Sequence, residues 1–300
     1  MLFSRRAYRP VLGAGLALLL SLLGGAIPSA YASAVITHLP ATHFITEQLL
    51  QGTEHSAHYL PPARYTMARI PNWLNSRVAN EQAQQWASQA DALVHLASIW
   101  PVDPLYPLLR QYNIRLVAID GADPQHPNAI GVALRLNETG QSSPFVWLNL
   151  NNLKTMSTLI GRDLQALYPQ QQALLQNNQQ QLLQAIARLE LANNDWLFEQ
   201  DVEQVIVVGS KLDDFVFGYN LYQRGHIEPT LDQWQESHWQ QLAALNPKGM
   251  TLLLERPPNE AQTKRLQAMA VTPLVIDVID RLGSGVDLNR WALTPRQSPL

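Results

Sequence analysis

Pro144-Phe145-Val146-Trp147-Leu148-Asn149-Leu150-Asn151-Asn152 leads into the segment on which the fold turns. From Asn151 to Tyr168, Leu153, Met156, Leu159, Ile160, Leu164 and Leu167 recur at three- and four-residue spacing, the stripe of one long amphipathic helix. Pro169 breaks it. A second helix is predicted from about Gln170 to Leu191, with Leu175, Leu182, Ile186 and Leu189 inward. Its outer face is rich in Gln and reads as a solvated surface rather than a partner surface.

Working outward, both flanks carry short apolar runs that alternate with helical patterns. On the N-terminal side, Ala34 to Thr37, Ala92 to Leu96 and Ile114 to Asp120 read as strands, with a helix through Phe44 to Leu50. On the C-terminal side the strands are Val205 to Val208, Met250 to Leu254 and Pro273 to Asp277. Between these, Asp213 to Tyr222 and Leu231 to Leu245 read as helices. Apolar runs alternating with helices indicate an α/β fold with mainly parallel sheets. The expected organisation is two α/β lobes, residues 35–149 and 169–300, joined by a long connecting helix over 150–168. A stiff helical connection leaves little room for wide hinge closure.

Residues 1–34 read as a cleavable export signal. Arg5, Arg6 and Arg9 give a positive start, Val11 to Ile27 an apolar run, and Ala32-Ser33-Ala34 a small-x-small cleavage site. The run is short for a membrane span, which takes about 20 residues. Ser4-Arg5-Arg6 resembles a twin-arginine signal, although Tyr8-Arg9 fits that pattern poorly. The mature chain is expected in the periplasm. There is no Cys, so disulfides, thiolate metal sites, Cys nucleophiles and lipid attachment through an N-terminal Cys are excluded. With 300 residues and 46% apolar composition the chain can build one or two hydrophobic cores. Net charge is −3, and loss of the three leader arginines makes the mature chain more acidic. Nucleic acid is therefore not an expected partner, since binding it needs a basic face.

Several short segments together resemble one family. Leu60-Pro61-Pro62 resembles a Leu-Pro-Pro-Gly loop, and Ala90-Asp91 with its strand resembles Ala-Asp-Leu-Val. Pro144 to Asn152 is similar to a Pro-His-x-Trp-Leu-Asp-Pro motif, and Tyr168-Pro169 to an Asp-Pro break between two long helices. Leu274-Val275-Ile276 before Asp277, with Arg281-Leu282-Gly283 after it, resembles a closing Leu-Asp-Pro-Leu-Gly segment. These are marks of the periplasmic metal-binding proteins that feed zinc and manganese ABC importers, and the resemblance spans most of residues 35–290. It implies the two-lobed cluster A-I solute-binding-protein fold, a monomer, and an ABC permease of the inner membrane as partner.

The resemblance also implies a site of three His and one carboxylate, a donor set suited to zinc. Here the positions that match those histidines are Met67, Phe145 and Ser210, and the matching carboxylate is Asp277. A thioether, a phenyl ring and a hydroxyl do not replace three imidazoles. A relocated zinc or manganese site would have to draw on other histidines, with His38 or His43 beside Asp277 as its nucleus. His55 and His58 stand three residues apart before Leu60, and His126 lies in a loop where zinc-uptake relatives carry a His/Asp-rich segment.

No motif signals catalysis. There is no Gly-x-Ser-x-Gly elbow, phosphate loop or His-Glu-x-x-His helix. Gly209-Ser210-Lys211 and Gly283-Ser284-Gly285 read as turns, and Asp213-Asp214 as a helix N-terminus where acids suit the dipole. Trp147 is expected to be a core anchor with its N–H bonded. The expected function is a solute-binding protein of a metal-type importer with weak or altered metal binding. The alternative is a partner or regulatory protein that binds no metal and docks on a permease through the same fold.

Overall fold

In the computed structural model, residues 33–123, 130–135, 140 and 142–293 are described. The expected export signal, up to residue 32, and His126 lie outside them.

The first half runs β1 (Ala34–Thr37), α1 (Pro40–Leu50), β2 (Ser56–Tyr59), α2 (Ile70–Leu74), α3 (Arg77–Ala87), β3 (Ala90–His95), α4 (Leu105–Arg110) and β4 (Val117–Asp120). Two helices follow, α5 (Leu150–Leu167) and α6 (Gln172–Glu199). The second half runs β5 (Gln204–Val208), α7 (Asp213–Gly218), β6 (Tyr222–Ile227), α8 (Glu236–Ala244), β7 (Thr251–Leu254), α9 (Glu260–Ala268) and β8 (Thr272–Val275).

The strands form two four-stranded sheets, ordered β2-β1-β3-β4 and β6-β5-β7-β8, with every pairing parallel. Parallel neighbours cannot be joined by a tight hairpin, so a helix-bearing crossover lies between each consecutive pair. The two halves thus repeat one plan. In each, the strand order reverses beside the first strand, and the carboxyl ends of the first and third strands flank an opening in which α/β sheets hold ligands.

Burial explains which strands the sequence revealed. β1, β5 and β7 are continuous apolar runs shielded on both faces. The edge strands β2 (Ser-Ala-His-Tyr) and β6 (Tyr-Gln-Arg-Gly-His-Ile) are half-exposed, carry no apolar run and escape a hydrophobicity reading. The helix expected to reach Tyr222 stops at Gly218, and Asn220 then takes the left-handed conformation (φ 52°) as the chain turns into β6. The strand expected from Ile114 begins only at Val117; Ile114 is 79% exposed in the preceding turn.

α5 starts where predicted, capped by the Asn149 side chain, which accepts from the Asn151 N–H. α6 is 28 residues long, eight beyond the expected end, and spans about 42 Å. The extension holds because Asn193, polar in a sequence reading, is buried: its amide donates to Tyr219 Oη (2.7 Å) and the Trp291 carbonyl (2.8 Å). Lys154–Glu190 (2.7 Å) and Gln165–Gln179 (2.7 Å) tie α5 and α6 together in antiparallel sense.

Alternation along β5 divides the interior. Val205 and Val207, with Leu253 of β7, face a core continuous with the first sheet, α5 and α6. Ile206 and Val208 face a second core with Trp239, Leu242 and Leu266. Trp147 is fully buried, donates from its indole N–H to the Val278 carbonyl (3.1 Å), and accepts at its own carbonyl from Trp291 (2.8 Å). This is the core role the sequence suggested for it.

Candidate functional site

The loops after β2, β3, β4, β5 and β8 enclose a cleft of about 370 Å³ between the two sheets. Met67, Trp100, Phe145, Ser210, Lys211 and Asp280 line it. Met67 opens a short 3₁₀ turn and is fixed by its N–H, which donates to the Asp280 carbonyl (2.8 Å). Phe145 packs edge-on against Trp147, with ring centroids 5.4 Å apart. Trp100 lies parallel to the ring of His38 at 5.8 Å.

The charged centre of this cleft is an ammonium. Lys211 Nζ lies 3.1 Å from Asp280 Oδ2, 3.3 Å from Glu255 Oε2, and 5.5 Å from the centre of the Phe145 ring. The Glu255 side chain is only 4% exposed. A bare divalent cation set beside Asp280 would meet that ammonium. Like charges 4 Å apart repel by roughly 4 kcal/mol per charge product at an effective dielectric of about 20, and twice that for a divalent ion. The other polar side chains that line the cleft are the Met67 thioether, the hydroxyls of Ser142, Ser143 and Ser210, the Asp213 carboxylate and the Arg135 guanidinium, and none of the lining residues is a histidine. The residues present therefore do not fit a tetrahedral zinc shell of three nitrogens and a carboxylate.

Met67, Phe145 and Ser210, three of the positions singled out in the sequence, share this cleft. Asp277 lines a neighbouring cavity of about 850 Å³, which Lys211, Glu255 and Asp280 also border. Its carboxylate is gripped by Arg290, Nε to Oδ2 at 2.8 Å and Nη2 to Oδ1 at 3.0 Å, and Oδ1 also accepts from the Ile279 N–H (2.9 Å). Ile279 is buried and left-handed (φ 53°), a strained conformation for a β-branched residue. Asp277 and Arg290 thus hold a tight turn whose far end carries Asp280 into the cleft.

Sequence reasoning missed Asp280, Lys211 and Glu255. For Asp280 the signal is present: Asp280-Arg281-Leu282-Gly283 matches Asp-Pro-Leu-Gly without a gap, whereas Asp277 matches only in following the apolar run. For Lys211 and Glu255 no spacing could have shown that the ends of β5 and β7 meet.

The structure does not bring His38 and His43 to Asp277. His38 is fully buried, with Nε2 2.8 Å from Asp103 Oδ2, and His95 Nδ1 lies 3.9 Å from the same oxygen. His43 contacts Thr37 Oγ1 (2.8 Å) and Glu47 (3.4 Å). Burial, with a smaller contribution from His58, lowers His43 to about 4 and so keeps it neutral. His55 stacks on Tyr168 and His58 on Trp86. His226 meets the Gly209 carbonyl, and His238 accepts from the Gln235 N–H at the start of α8. Among the described residues, no group of three or more His, Asp and Glu side chains is arranged to hold a metal ion.

No family model and no curated protein matches the sequence. Solved structures do, through their backbone. The fold is that of the metal-binding solute-binding proteins. Zn(II)-bound AdcA from Streptococcus pneumoniae superposes with a TM-score of 0.64 at 17% identity, over 83% of this chain and 52% of that one. The chain thus spans about half the length of AdcA. ZnuA aligns with a TM-score of 0.61 at 18% identity, over 83% of this chain and 92% of its own. FpvC from Pseudomonas aeruginosa in complex with Mn2+ gives 0.62 at 17%, over 86% and 92%. At such identities the shared property is the fold.

Proposed function

We propose that this chain is the periplasmic solute-binding component of an ABC importer, with lobes 35–149 and 169–300 joined by 150–168. We further propose that its cleft grips a bare divalent ion weakly and takes a small organic molecule or a metal chelate instead. The carrying observation is the cleft itself. It opens at the carboxyl ends of parallel strands from both sheets, the usual place for a ligand in this architecture, yet a lysine ammonium sits on its inner carboxylate. A volume of about 370 Å³ lined by Met67, Trp100 and Phe145 suits an organic ligand far better than a dehydrated ion.

Related folds bound to Zn(II), Ni2+ and Mn2+ support a transport-type role rather than catalysis. In this reading the chain is exported, works as a monomer and delivers to an inner-membrane permease. Among the described residues no helix is long and apolar enough to cross a membrane.

Protein purified from periplasm, examined by native mass spectrometry with elemental analysis, tests the cargo. An organic or chelate adduct at one per chain is expected. Stoichiometric zinc or manganese on an otherwise unmodified chain would overturn the cargo reading. Crosslinking in cells tests the partner: a permease is expected in the crosslinked species, and its absence would refute the importer role. A permease captured with a chain that never retains cargo would favour a docking or regulatory partner.

A further inference from the structure

Glu255 leaves the carboxyl end of β7 and turns its carboxylate into the protein beside Gly209. Gly209 adopts φ +87°, and a Cβ built on it would collide with that carboxylate, so the backbone is shaped to admit the acid. Oε2 meets Lys211, whereas Oε1 is buried with no hydrogen-bond partner among the described residues. A buried carboxylate oxygen without a partner is costly, and it marks a place where more positive charge can be accommodated. Asp280 approaches the same ammonium from the turn held by Asp277 and Arg290. One ammonium therefore sits between two carboxylates, capped by the face of Phe145.

We propose that Lys211 is a tethered cation filling a divalent-cation seat formed by Asp280 and Glu255, and that its charge is what makes this cleft reject free metal ions. Both carboxylates already converge on one point, at 3.1 and 3.3 Å from Nζ. Neutralising the side chain leaves oxygen donors of the kind that hold manganese. The geometry stands whether or not an importer is involved; the consequence for cargo rests on the importer reading.

The test is calorimetric titration of the full mature chain with Mn2+ alone. Lys211→Met keeps the apolar stem and removes the charge, and it should bind Mn2+ at least tenfold more tightly than the wild type. Lys211→Arg keeps a cation and should bind no better than the wild type. Glu255→Gln added to Lys211→Met should abolish the gain. If Lys211→Met proves poorly folded by circular dichroism, Lys211→Gln takes its place with the same expectation. The inference is overturned if the wild type binds Mn2+ as tightly as the neutral variants, if a folded neutral variant gains nothing, or if Lys211→Arg gains as much as Lys211→Met. Each of those outcomes leaves the importer role standing, because that role is judged by permease crosslinking.

Discussion

Asp214 lies fully buried in the first turn of α7, beneath the cleft. Burial pushes its carboxyl up to about 6, against the pull of Ser143 and Arg135 and with a push from Asp213. A carboxyl raised in the folded state contributes stability that is present below its unfolded value and lost as pH rises through about 6. A shift of this size is worth on the order of 2–3 kcal/mol. Asp214→Asn should therefore melt at a higher temperature than the wild type at pH 8, and the two should converge near pH 4. Equal melting temperatures at pH 8 would show that the buried charge costs nothing. Arg290 acts in the other direction. Arg290→Met removes two charge-assisted bonds from Asp277 and should cost about 2 kcal/mol in urea unfolding, with Arg290→Lys restoring only part because an ammonium cannot make the bidentate pair. Little of this was visible in the sequence. Asp277 carries no local mark that separates a ligand from a turn-holding acid, and only its guanidinium partner 13 residues on reveals the role.

Among elements, α9 shows how much of a helix start is local. Asn259 accepts from the Gln262 N–H, and the Gln262 side chain accepts from the Asn259 N–H, a reciprocal cap readable in principle from Asn-x-x-Gln. Asn259→Ala should lower stability by about 1 kcal/mol, measured by chemical denaturation with an unchanged m-value. A null effect would mean that Gln262, which also donates to the Leu231 carbonyl (2.8 Å), holds the turn alone. Apolar periodicity placed α5 well, because that helix buries a full stripe. It lost the end of α6, where buried Asn193 replaces the expected apolar residue. The edge strands β2 and β6 went unseen for a related reason: pairing on one side with exposure on the other lets polar residues fill a strand.

Across the whole molecule, the two sheets are tied by Trp147 and Trp291. Each indole N–H is spent on a main-chain carbonyl far away in sequence, and Asn193 adds a third link between Trp291, Leu293 and α6. With α5 and α6 packed side by side, wide closure would have to break these buried bonds. Scattering or paired spin labels on the two lobes should show a change of only a few ångströms on ligand addition; rotation by tens of degrees would disprove a stiff frame. Trp291→Ala should cost about 3–5 kcal/mol, since it deletes a buried indole and leaves the Trp147 carbonyl without its partner.

By itself the sequence determined the α/β class, the central strands and the long helix at residues 150–167, because each depends on local periodicity and on how much apolar surface a segment must bury. It also determined that no imidazole stands at Met67, Phe145 or Ser210. Only the tertiary structure decided that Asp280 rather than Asp277 faces the cleft, and what neutralises it. Asp280, Glu255 and Lys211 come from the ends of three strands that meet through parallel crossovers, and their convergence is a property of the assembled sheets that no one-dimensional spacing encodes.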